Sequence, residues 1–332
     1  MTGEPMPEEV RATLLQLRGA LDAAVPAKLL DRNLLIATWR WPMVTRISDR
    51  WVDDTNAAIR DQRAVHLLAE VAKRFDVLAI QGLMADAPSF RAVVDVLGPD
   101  WAYLMTGLSR ETTYRERTAV LFDTRKVLPH GLAGQIVIPL SGKRTSPEDD
   151  FLSDQFFRPP FFAGFRCLGS TFTLVNQHIV FGTMPERVRE VQALGVWLRE
   201  MRAGAYWEGN LVVLGQLQLI RPGTPTHRAF TAAGLRVPPD LEDAPTYVDS
   251  TGHPVSQASS IAWTVTSDGE PDLSLPYRRG GVFNHCDAAV LGDLTADLDY
   301  LSRHLTMWTE FAAVPSWAGP GNVLAGAAGG RW

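Results

Sequence analysis

The chain has 332 residues, 46% of them hydrophobic and 21% charged, and a formal net charge of −5. That balance excludes a disordered chain, and without a basic tail or a Lys/Arg block no nucleic-acid partner is expected. Two cysteines, Cys167 and Cys286, form no CxxC pair, which excludes a zinc-ligand spacing.

The N-terminus opens on Glu4, Glu8 and Glu9. It lacks a basic segment ahead of an apolar run, so no secretion signal is expected. No stretch approaches the ~20 apolar residues of a membrane span. The expectation is a cytoplasmic protein that uses no membrane.

Val10, Leu14, Leu17 and Leu21 recur at helical spacing over residues 7–24, and Pro7 suits a helix start. Residues 1–30 are therefore a helical extension, packed on the domain or offered to a protein partner. Residues 33–39 are an apolar run of strand length. Residues 61–74 form an amphipathic helix through Val65, Leu68 and Val71, and 76–80 a buried strand. Strands follow at 118–122 and 169–176, a helix at 185–202, and strands at 210–215, 260–265 and 307–311. Several strands are apolar on both faces, which suits two packed sheets covered by helices. The polar stretch 142–155 reads as a surface loop. Residues 313–332 are a Gly/Ala-rich tail, leaving 31–312 as one domain.

Eight segments, in order, resemble the endonuclease/exonuclease/phosphatase superfamily of deoxyribonuclease I-like enzymes. They are IATWRW (36–41), DVLAIQG (76–82), YRERTAVLFDTRKV (114–127), FRPPFFAGFR (157–166), FTLVNQHIVFG (172–182), NLVVLGQLQLI (210–220), SSIAW (259–263) and SRHLTMW (302–308). The resemblance spans about residues 31–312. It implies a four-layer α/β/β/α sandwich of two mixed sheets flanked by helices, with an active site at one edge of the sheets. It also implies metal-assisted phosphoester hydrolysis, in which oxygen ligands hold a hard cation and a histidine handles protons.

Those ligands are absent. Where the family carries Asn after Thr-Trp stands Arg40, and its metal-binding Glu is Gly82. The Asp and Asn of its GDFN segment are Gln216 and Gln218. Its later aspartates are Ser259 and Arg303. Every charge-altering change makes the wall more positive, so a cleft that repels cations and attracts anions is expected, with no cofactor. Arg40 and Arg303 present guanidinium forks suited to carboxylate or phosphate. Among positions with a family role, Glu116, Arg158, His178 and His304 survive, with Tyr114 nearby.

Two functions follow. In the first, a repurposed metal-independent pocket binds, and transforms, an anionic small molecule. There His178 and His304 exchange protons with Glu116 beside them, Arg40, Arg158 and Arg303 hold negative charge, and Gln216, Gln218, Tyr114 and Ser259 line the pocket. In the second, the chain is an inert pseudonuclease acting through its surfaces, with Glu116 paired to Arg40 or Arg303. A residual nuclease with a relocated metal ranks last. Trp39, Trp41 and Trp263 are expected to flank the cleft. His66, His130, His227 and His253 read as solvated or unpartnered, and His285-Cys286-Asp287 as a triad only on paper.

Overall fold

The structure is a computed structural model that describes residues 4–313 apart from 42–45, 54–58, 110–114, 137–155, 180–181, 205–208, 219–221, 257–258, 267 and 298. The first element, α1 (Glu8–Ala24), buries Val10, Leu14, Leu17 and Leu21 along one stripe. Glu8 and Glu9 in its first turn suit the positive end of the helix dipole. Val25 ends it in extended backbone, as a residue before proline favours. The stripe enters the same core as Trp39, Leu68 and Phe75, so this face of the helix packs on the domain.

β1 (Asn33–Arg40) comes next and is buried up to Arg40. β2 (Arg46–Ile47) and β3 (Ile59–Arg60) form a short parallel pair. α2 (Gln62–Lys73) starts at Asp61, whose carboxylate accepts from Ala64 N. β4 (Val77–Met84), α3 (Pro88–Leu97), β5 (Trp101–Met105) and β6 (Glu116–Asp123) complete the first half. The second half runs through β7 (Val127–Gln135), β8 (Phe161–Cys167), β9 (Ser170–His178), α4 (Met184–Ala203), β10 (Leu211–Gln216), α5 (Pro225–Ala232) and β11 (Leu235–Arg236). A hairpin of β12 (Tyr247–Val248) and β13 (Pro254–Ser256) precedes β14 (Ser260–Thr264) and β15 (Tyr277–Phe283). The short helix α6 (Ala288–Leu291), a 3₁₀ turn (Gly292–Ala296) and β16 (Thr306–Ala312) end the fold.

Two six-stranded mixed sheets result, in the orders β15-β16-β1-β4-β6-β5 and β11-β14-β10-β9-β8-β7. Side chains alternate between faces, and both faces are covered. Leu34, Ile36, Val77 and Phe122 meet Phe165, Leu174, Val212 and Trp263 in the core between the sheets. Leu35, Ala37, Trp39 and Leu78 point the other way, under α1, α2 and α3. Val175, Leu211 and Val213 pack under α4 and α5. These layers are the expected α/β/β/α sandwich.

β1 runs parallel to β4, and β9 to β10. Both pairs therefore end on one edge of the sandwich, at Arg40, Gly82, His178 and Gln216. The opposite edge is closed by buried charge. There Lys126 Nζ lies 2.8 Å from Asp76 Oδ2 and Lys28 Nζ 2.6 Å from Asp123 Oδ2, with Lys126 also donating to Leu29 O at 2.6 Å. No helix among the described residues is long and apolar enough to cross a membrane.

Candidate active site

Arg40 is the last residue of β1, where the side-chain alternation turns it toward the sheet edge. Its Nη1 lies 3.0 Å from His304 Nε2 and its Nη2 3.8 Å from Glu116 Oε1. An arginine only donates, so His304 Nε2 accepts and its proton sits on Nδ1. The stem of Arg40 runs over Gly82, which has φ +80° on a β-bulge between β4 and β6. A Cβ there would stand 2.8 Å from Trp41 O and 3.3 Å from Arg40 Cγ. The space of a missing side chain at 82 is thus the space that Arg40 uses.

Glu116 opens β6 and is buried at the centre of the cluster. His178, at the end of β9, brings Nδ1 to 3.0 Å of its Oε2, and Arg158 brings Nε to 3.2 Å of the same oxygen. Burial pushes the Glu116 pKa upward, but the His178 hydrogen bond and the two guanidiniums outweigh it and hold the acid at about 2. His178 moves the other way. Burial, helped by Arg158 and Arg40, overcomes the attraction of Glu116 and lowers it to about 4. The ring is neutral at pH 7, with the carboxylate keeping the proton on Nδ1 and the lone pair on Nε2.

His304 is held by its backbone. Its carbonyl accepts from Trp39 Nε1 at 2.7 Å and its N–H donates to Ser302 Oγ at 3.0 Å. Ser302 Oγ in turn donates to Arg40 O at 2.7 Å, so one hydroxyl ties both residues together. Tyr247 covers the His304 ring at 4.9 Å between centroids. Burial, with Arg40 adding, holds the His304 pKa well below its ordinary value. On the second sheet, Gln216 Nε2 donates to Ser259 Oγ at 2.6 Å, and Ser259 N to Thr246 Oγ1 at 2.8 Å. Gln218 is buried just past β10 at φ 51°, in the left-handed region.

Most of the expected residues therefore converge, and four expectations need correcting. Arg303 is not a free charge of the cleft: one-third exposed, it pairs with Asp299 at 2.9 Å and contacts Tyr247, and Glu116 pairs with Arg40 and Arg158. With Arg303 neutralised and Glu116 shared by two arginines, the cleft is only weakly positive. Trp39, Trp41 and Trp263 are core residues, almost fully buried, and do not wall a pocket. His66 is half-buried against Trp51 at 5.0 Å. His227 Nδ1 accepts from Gly223 N and His253 Nδ1 contacts Thr251 Oγ1 at 2.8 Å, so both have partners. Tyr114 lies outside the described residues.

His285 Nε2 lies 2.8 Å from Ser302 O and Cys286 Sγ donates to the same carbonyl at 3.2 Å, while Asp287 caps α6; the three form no triad. Sequence reasoning missed Ser302 and Tyr247. Ser302 opens the SRHLTMW segment, so its position carried a signal, whereas Tyr247 sits in an irregular stretch and carried none.

The fold family implies a divalent cation, and these donors do not fit one. Glu116 is the carboxylate of the cluster, and its oxygens face two guanidiniums and an imidazole. Positions 216, 218 and 259 offer amides and a hydroxyl. Among the described residues no group of three or more His, Cys, Asp or Glu gathers as a metal would require.

No family model matches the chain, and no curated protein matches it by sequence. Solved structures do. A mannosyl-6-phosphatase from Bacteroides thetaiotaomicron aligns at TM-score 0.54 with 15% identity, over 84% of this chain and 99% of its own. An endonuclease/exonuclease/phosphatase protein from Bacteroides vulgatus aligns at 0.55 with 10% identity, over 84% and 98%. The human Nocturnin catalytic domain with a bound sulfate aligns at 0.51 with 12% identity, over 84% and 94%. The chain has the fold of the endonuclease/exonuclease/phosphatase proteins.

Proposed function

We propose that this edge of the sandwich is a metal-independent site for the oxyanion group, phosphate or carboxylate, of a small molecule, with His178 as its proton-exchanging residue. The observation that carries the reading is the Arg40 guanidinium, docked on a neutral His304 beside the His178–Glu116 pair. With both imidazoles neutral, Arg40, Arg158 and Glu116 leave one net positive charge. Arg40 Nε and His304 Nδ1 are buried donors without a hydrogen-bond partner among the described residues, as expected where a ligand or water supplies the acceptor. The sulfate on the Nocturnin domain is consistent with oxyanion binding on this fold.

His178 is suited to take a proton at Nε2 while Glu116 stabilises the resulting charge. Burial is the main cause of the low His178 pKa, and an anion beside Arg40 and Arg158 offsets the smaller part that their charges add. The pKa then rises toward the useful range, and binding takes up a proton.

The closed network of Glu116 with Arg40, Arg158 and His178 also favours a second reading, a cluster sealed on itself in an inert scaffold. Isothermal titration with inorganic phosphate in a chelator decides between the two. The proposal expects binding that tightens as pH falls from 7 toward 6 and that Arg40→Ala weakens by about tenfold or more, the loss of one charge-assisted hydrogen bond. Absence of binding, or equal binding by the variant, leaves the inert scaffold.

A further inference from the structure

A cavity of about 470 Å³ lies on the same edge of the fold. One wall is the turn between β12 and β13, with Ser250 and Thr251. The other is the segment after β15, with Asn284, Cys286 and Asp287, and Thr295 closes it from the 3₁₀ turn. Two links join it to the candidate active site. The β12 strand that carries the turn places Tyr247 on the His304 ring. Cys286 Sγ is bonded to Ser302 O, in the residue whose hydroxyl ties Arg40 to His304.

The chemistry of its lining is unlike that of the cleft. No lysine or arginine is among its described lining residues, and Asp287 is its one charge, so it is unsuited to an anion. Nor does it present a large apolar side chain. What it offers is a mixture of donors and acceptors. Asn284 Oδ1 accepts from Cys286 N at 3.0 Å, which orients the side-chain amide and leaves Nδ2 as a donor. Thr295 Oγ1 donates to Gly292 O at 2.8 Å, which leaves its lone pairs as acceptors. Asp287 Oδ1 accepts from Ala289 N at 2.9 Å, which leaves its second oxygen. The turn is braced by Asp249. Asp249 Oδ1 accepts from Thr251 N at 2.8 Å, Thr251 Oγ1 at 2.6 Å and His253 N at 3.1 Å.

A hydroxyl is both donor and acceptor, so a neutral polyhydroxylated group satisfies such a wall where an anion, a cation or an apolar group does not. We infer that this cavity is a subsite for the uncharged, polyhydroxylated part of the ligand, a sugar or polyol whose oxyanion group is held by Arg40. The link to Arg40 rests on the proposed function; the polyol assignment rests on the cavity alone.

Isothermal titration of the full chain with inorganic phosphate, a free hexose, the corresponding hexose monophosphate and a diamine tests it. Asn284→Ser keeps a short acceptor for Cys286 N and withdraws the amide donor, and Asp287→Asn keeps the helix cap and removes the charge. The expected result is a hexose phosphate that binds about tenfold tighter than phosphate, from one or two added hydrogen bonds. Either variant should remove that gain and leave phosphate binding unchanged. A hexose phosphate no tighter than phosphate, a gain that survives either variant, or binding of the diamine alone overturns the inference. If phosphate does not bind but the hexose does, and Asn284→Ser abolishes it, the polyol subsite stands and the oxyanion reading falls.

Discussion

Acidification from pH 7 to 5 should destabilise the protein through its buried histidines. His285 is enclosed completely, beside Trp39 at 5.0 Å, and burial outweighs its bond to Ser302 O to hold its pKa near 4. His178 is held near the same value. In the unfolded chain each returns to about 6.5. At pH 5 the unfolded state binds a proton that the folded state refuses, so stability falls as pH drops below about 6.5 and levels off near 4. Between pH 7 and 5 the cost is about 2 kcal/mol for each residue, about 4 kcal/mol for the pair, and on the order of 10 °C in melting temperature. Glu116, held near 2, contributes stability that is present above its ordinary 4.5 and lost only as pH falls toward 2, so it does not obscure this window. Urea unfolding at pH 7, 6 and 5 reads the effect directly. In His285→Gln the side-chain amide can still donate to Ser302 O but no longer titrates, and the loss over this range should shrink by about 2 kcal/mol. A stability that stays flat from pH 7 to 5, or a His285→Gln slope equal to that of the parent, refutes the reasoning.

Gly82→Ala should cost about 1–2 kcal/mol for the left-handed backbone alone, and more from the approach to Trp41 O. The shifted Arg40 should also change the His304 ring signals in NMR. Glu116→Gln leaves Arg158 and Arg40 facing a neutral amide, so it should lower stability by about 3 kcal/mol in urea while tightening phosphate binding by calorimetry. Lys126→Met leaves the fully buried Asp76 carboxylate with only Lys28 at 3.9 Å and the Leu35 N–H, and should cost about 3 kcal/mol, much of it recovered by adding Asp76→Asn. Thermal unfolding of the three variants checks the order.

The sandwich is legible because its central strands are buried on both faces. Runs such as 33–39 and 76–80 are continuous apolar segments of strand length, and the helices at 8–24, 62–73 and 184–203 carry their own periodicity. α3 was not anticipated, although Pro88 at its start and Gly98 past its end mark it. β7 escaped because it is an exposed edge strand holding Pro129 and a bulge, with little apolar pattern. At the candidate site, residues at strand ends were found because strand ends are where the motifs lie. The pairing of Arg303 with Asp299, four residues earlier, depends on how the irregular segment between them folds, which the sequence alone does not specify. Ser302 lies within a motif but acts through its hydroxyl on two backbone groups, and Tyr247 acts through a ring face from an irregular stretch that carries no pattern.

The bare Cα at position 82 also constrains which side chains the cleft can carry. A carboxylate side chain cannot be placed there while the neighbouring carbonyl stands 2.8 Å from the first new atom and an arginine stem lies across the gap. A larger residue at position 82 alone is therefore destabilising, and only a combined change of Gly82 and Arg40 with a straightened bulge accommodates it. Backbone geometry, more than the identity of any one side chain, keeps an acidic group out of this part of the cleft.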